Sequence, residues 1–169
     1  MSGPRPLEFD PIAEARRQWE ARDWPAPAAM AAATSIMRAQ QIVMARVDDA
    51  LRPFDLSFAR YEALVLLYFS RSGALPLGKM GDRLMLHPTS VTNIIDRLET
   101  QGYAERTPHP TDRRTTLATI TGEGRRITEK ATEAVSAATI GMGDLTDGEL
   151  DGITAALRRL RVDFGDFPG

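Results

Sequence analysis

The residues from Leu77 to Thr121 constrain the fold more tightly than any others in this chain. Leu77, Met80 and Leu84 recur at spacings of three and four, which predicts a short amphipathic helix over Leu77 to Leu84. Met85 to His87 read as a turn. Pro88 opens a second helix, because its fixed φ and missing N–H suit a first helical position. That helix carries Val91, Ile94, Ile95 and Leu98 on one face, with Thr89, Ser90, Thr92, Asn93 and Arg97 largely elsewhere. Gly102 suits the left-handed turn that ends it. Two β-prone runs follow, Tyr103 to Thr107 and Thr115 to Ile120. The loop between them holds two prolines and Asp112-Arg113-Arg114.

A short helix, a turn, a helix with a polar start and a hairpin with a basic tip follow the logic of a winged helix-turn-helix. In that arrangement the second helix enters the major groove of duplex DNA. Ser and Thr are tolerant donor-acceptors for base edges, and Asn can pair with adenine. His87, Thr89, Ser90, Thr92, Asn93 and Arg97 are therefore candidate DNA contacts, with Asp112, Arg113 and Arg114 at the wing. Each has a plainer alternative. The polar residues could simply occupy a helix start, His87 could be a cap, Arg97 could pair with Asp96 or Glu99, and the wing arginines could be solvated turn charges.

The stretch resembles the MarR family of bacterial transcription regulators. The resemblance rests on Asp-x-Arg at Asp112 to Arg114, on Thr-Ile-Thr at Thr119 to Thr121, and on Asp-Arg-Leu at Asp96 to Leu98. It extends from Ile36 to Arg161. It implies that Arg114 enters the minor groove and that Asp112 holds it in place. It also implies a dimer built from helices at both ends of each chain.

The flanking residues predict helices throughout. Asp10-Pro11 caps and starts one that runs to Arg22, with Ile12, Ala15 and Trp19 on one face. Asp23-Trp24-Pro25 interrupts it. Pro27 to Leu51 reads as one long helix, with a wide stripe of Ile36, Met37, Val43, Met44, Val47 and Leu51. One side of that stripe is expected to meet the chain's own core and the other a partner subunit. Ser57 is expected to cap a buried helix over Phe58 to Phe69, and Ala74 to Leu75 to add a third strand. A helix from Glu123 to Ile140 shows a small face of Ile127, Ala131, Ala134, Val135 and Ala138. Thr146 and Glu149 have capping-box spacing ahead of a last helix. The expected fold is mainly α with a small β-wing. Residues 1–55 form an N-terminal extension and dimerisation helices, 56–121 a winged helix-turn-helix, and 122–169 C-terminal dimerisation helices.

Composition excludes more than it selects. There are two histidines and no cysteine among 169 residues, so disulfides are excluded and a zinc site is not expected. No run reaches the roughly twenty apolar residues that span a bilayer. The expectation is a soluble cytoplasmic protein with no membrane partner, no cofactor and no catalytic constellation. Net charge is -2. Six basic residues face five acidic ones between Pro76 and Ile120, against six and nine from Thr121 onward. Bulk charge therefore does not announce a nucleic-acid ligand, and placed residues must carry the case.

The reading is a homodimeric regulator of a pseudo-palindromic double-stranded DNA operator, a repressor released by a small aromatic or carboxylate effector. The alternative is a winged-helix dimer that serves as a protein-interaction module. Trp19 and Trp24 could dock an extra helix or line an effector cleft. The extra helix resembles the urate-responsive branch of the family, which uses a tryptophan, an acidic residue on the helix after the long one, and two arginines. By that resemblance Trp19 and Arg106 match, Glu62 stands for aspartate, and Ile94 replaces the second arginine. The implied cleft takes Trp19, Trp24, Met44, Phe58, Tyr61, Glu62 and Arg106, for a ligand less charged than urate.

Overall fold

The computed structural model describes residues 7–112 and 114–168. Helix α1 (Pro11–Glu20) starts where Asp10 accepts the Ile12 N–H at 2.9 Å, with proline in the first turn. It buries none of its residues. The Trp19 indole N–H donates to the Pro25 carbonyl at 2.9 Å, and the Trp19 and Trp24 rings meet edge to face at 4.8 Å. The two tryptophans thereby fold α1 back along α2 (Pro27–Leu51).

The stripe on α2 divides along the length of the helix. Val47 and Leu51 are buried in the protomer core, whereas Ile36, Met37 and Ile42 are exposed. A 3-10 turn over Arg52–Phe54 leads to α3 (Phe58–Phe69). Ser57 sits at the cap position of α3, but its side chain does not cap the helix. Asp48, reaching over from α2, accepts the Phe58 N–H at 2.8 Å instead. Asp48→Ala is therefore expected to lower stability by about 1 kcal/mol, and Ser57→Ala by much less. Chemical denaturation of the two variants side by side checks this.

Strand β1 (Ala74–Pro76), α4 (Leu77–Leu84), α5 (Pro88–Thr100), β2 (Ala104–Pro108) and β3 (Thr116–Ile120) follow. The sheet is antiparallel in the order β1-β3-β2, with Leu75 and Arg106 on opposite sides of Ala118. Gly102, at φ +74°, makes the turn out of α5. Met85 makes the turn out of α4 at φ +51°, a conformation that usually falls to glycine or asparagine.

The core gathers Leu51, Leu64, Leu67, Met80, Val91, Ile95 and Leu98, closed by Ala118, Ile120, Ala131 and Val135. Each large aliphatic residue there contributes about 1.5–3 kcal/mol by leaving water. This packing joins α4 to the inward face of α5, behind that helix's exposed face.

Helix α6 (Gly122–Ala137) is capped by Thr121, whose hydroxyl accepts the Gly124 N–H at 2.9 Å. It ends before the expected Ile140. Thr139 and Ile140 take positive φ, and Gly141 packs against the α2 backbone, its carbonyl accepting from Arg46 at 3.0 Å. The helix stops because the chain turns there to meet α2. The buried face also differs from expectation. Thr128 is buried and Ile127 only partly so; the Thr128 hydroxyl is satisfied by the Gly124 carbonyl at 2.6 Å.

Thr146 and Glu149 form the capping box of α7 (Asp147–Asp163). No residue of α7 is buried, and Ile153, Leu160 and Phe164 are exposed. Among the described residues, no helix is long and apolar enough to cross a membrane.

Candidate nucleic-acid interface

Pro88 starts α5, and His87 takes the cap position with its Nδ1 accepting the Thr89 N–H at 3.3 Å. Val91, Ile95 and Leu98 turn into the core, so the opposite face must point outward. Thr89, Ser90, Thr92, Asn93 and Arg97 are all exposed on it. An open polar hollow of about 480 Å3 lies between Asn93, Asp96, Arg97 and Thr100. Arg97 forms no ion pair among the described residues, because Asp96 and Glu99 are both taken by Arg106.

Arg106 therefore has a role that its sequence position did not reveal. It extends from β2, 27% exposed, and its guanidinium meets the Asp96 carboxylate at 2.7 Å and that of Glu99. It also donates to the Thr92 carbonyl at 3.3 Å, while its own backbone N–H donates to Glu99 at 2.8 Å. The base of the wing is thus bolted to the recognition helix. An anion seeking Arg106 would have to displace a carboxylate.

The wing tip is organised by its own short side chains. Asp112 accepts the Arg114 backbone N–H at 3.0 Å and the Thr115 hydroxyl at 2.7 Å. The Thr115 hydrogen bond, then that of the Arg114 amide, holds the Asp112 carboxyl below its ordinary value. The bond from Arg114 to Asp112 is made by the arginine's backbone N–H. The Arg114 guanidinium forms no ion pair among the described residues and is exposed. Arg113 lies outside the described residues.

His109, not singled out from sequence, belongs to the same tip. Its Nδ1 accepts the Asp112 N–H at 3.2 Å and the Thr111 N–H at 3.4 Å. The short polar run around it was the signal available.

The residues of the expected effector cleft have separate engagements in one protomer. Trp19 and Trp24 contact each other. The Tyr61 hydroxyl lies 3.0 Å from that of Thr132 on α6. Met44 and Phe58 are half-buried, and Ile94 packs against the core. Glu62 is half-buried with no ion pair among the described residues, and burial pushes its carboxyl above the ordinary value.

A helix-turn-helix with an exposed polar recognition face and an arginine-tipped wing defines the winged helix-turn-helix class. The MarR family model matches residues 56–116. The structure of Sco5413, a MarR family transcriptional regulator from Streptomyces coelicolor, superposes with a TM-score of 0.77 at 53% identity, covering 83% of this chain and 98% of that one. The HTH-type transcriptional regulator YhbI of Bacillus subtilis is 38% identical over 97 residues, 57% of this chain and 60% of that protein. The chain thus spans about three fifths of that curated relative. Sco3205 of Streptomyces coelicolor, solved in complex with DNA, shares the fold at TM-score 0.75 and 21% identity, over 83% of this chain and 94% of that one. The chain belongs to the MarR family.

Proposed function

We propose that this protein is a sequence-specific, homodimeric transcriptional repressor. The observation that carries this reading is the pairing of an exposed polar face on α5 with an Arg114 whose guanidinium has no ion-pair partner among the described residues. The lobe at 56–121 reads duplex DNA, with His87, Thr89, Ser90, Thr92, Asn93 and Arg97 in the major groove. Arg113 and Arg114 reach the minor groove, and Asp112 sets the wing. The segments 1–55 and 122–169 pair two copies. The exposed Ile36, Met37, Ile153, Leu160 and Phe164 support this, because such apolar surface favours burial against a partner. Two recognition helices about one DNA turn (roughly 34 Å) apart would read a pseudo-palindrome.

Binding to the protein's own promoter region tests the reading. Two protomers with about three phosphate- or groove-facing arginines each should lose roughly a thousandfold in affinity between about 50 and about 200 mM salt. If that duplex binds no better than a non-specific competitor, the near-neutral lobe favours a protein-interaction module instead.

The effector reading rests on Glu62, a half-buried carboxyl with no ion pair among the described residues, on the same helix as Phe58 and Tyr61; burial raises its pKa above the ordinary value. A small aromatic or carboxylate compound favouring a DNA-incompetent spacing of the two lobes would release the operator. Such a compound should change tryptophan fluorescence, and Trp19→Phe should blunt the change. A fluorescence response that Trp19→Phe leaves intact would place the effector elsewhere.

A further inference from the structure

A groove between α3 and α6 shares no residue with the DNA face or with the expected effector cleft. Val65, Tyr68 and Phe69 form one wall, and Thr128, Glu129 and Glu133 the other, around a cavity of about 300 Å3. That volume falls at the lower end of the range that small-molecule sites occupy.

Two features of its lining are unexplained by folding. Phe69 is 79% exposed at the end of α3 and takes no part in the core. It stands edge to face against Tyr68, with ring centroids 6.1 Å apart. Glu129 and Glu133 are one turn apart on α6, where like charges repel. Neither has an ion-pair partner among the described residues.

Glu129 accepts the Tyr68 hydroxyl at 2.7 Å, a bond that raises the pKa of the tyrosine. The Tyr68 ring already attracts one cation, the Arg125 guanidinium, 5.4 Å from its centroid. Arg125 itself is not in the lining, and no cation sits over Phe69 among the described residues.

An aromatic wall facing two carboxylates is selective by charge. An anion would meet both glutamates, and a neutral molecule would leave them repelling each other. A cation gains from both carboxylates and from the aromatic face. We infer that this groove binds a small organic cation with an apolar body, of the aryl- or alkylammonium class. The inference does not depend on the protein reading DNA.

Calorimetry on the full chain at low salt tests it, with benzyltrimethylammonium as the probe and phenylacetate as an anion of similar shape. The cation should bind saturably in roughly the millimolar range, and phenylacetate should not. Phe69→Ala and Glu133→Gln should each weaken cation binding about fivefold. Both side chains are outside the core, so circular dichroism and melting should match the parent. Absence of saturation by about 10 mM, equal binding of phenylacetate, or unchanged binding in both variants would overturn the inference.

Discussion

Arg114→Ala is expected to abolish useful operator binding while leaving the fold intact. Each wing arginine in a narrow minor groove is worth about 1–3 kcal/mol, and a dimer presents two. The loss is therefore about 2–6 kcal/mol, roughly thirtyfold to more than ten-thousandfold in affinity. The side chain is exposed and forms no ion pair among the described residues, so its removal opens no cavity and strands no buried charge. Only its backbone N–H is used by Asp112, and alanine keeps that bond. A mobility-shift titration beside a thermal melt separates the two effects. A variant that melts normally and still binds the operator like the parent would remove the wing from the proposed mechanism.

The second large effect concerns Gly124. It lies in the first turn of α6 and is buried where that helix crosses the end of the wing. A Cβ added there would overlap the Tyr103 carbonyl oxygen and stand 2.9 Å from Ile120 Cγ1. The Tyr103 carbonyl cannot withdraw easily, because it accepts the Thr121 N–H at 3.1 Å. Nor can α6 back away, because Thr121 donates to the Gly102 carbonyl at 2.8 Å while capping that helix. Gly124→Ala is thus expected to cost about 3 kcal/mol or more, at the severe end of overpacking. Gly148, near the start of α7, has nothing within 4 Å of an added Cβ. Gly148→Ala should instead raise stability by about 0.5 kcal/mol. Equal melting temperatures for the two variants would show that α6 can shift away from Tyr103.

These two residues stand on opposite sides of what was legible in the chain. Arg114 could be picked out as a candidate from its neighbours, since a hairpin tip and an Asp-x-Arg pattern are local features. The close approach at Gly124 could not, because the strand end it touches is reached only through the packing of α6 on the sheet.

The sequence by itself determined the class of fold, the order of the elements and most of their limits. Asp10, Pro88, Thr121 and the Thr146–Glu149 pair act on backbone groups within about one helical turn, so their effect needs no knowledge of the rest of the chain. The outward face of α5 was legible for the same reason: its apolar spacing assigns Val91, Ile95 and Leu98 inward whatever they meet. The tertiary structure alone decided which partners came from afar. It brought Asp48 to the start of α3, turned the chain after Ala137 to seat Gly141 on α2, and buried Thr128 where an isoleucine was expected. It also committed Arg106 to Asp96 and Glu99, so that this arginine bolts the wing to the helix and Arg97 has no ion pair among the described residues. Such choices depend on distances between elements, and a pattern of residues along one element does not contain them.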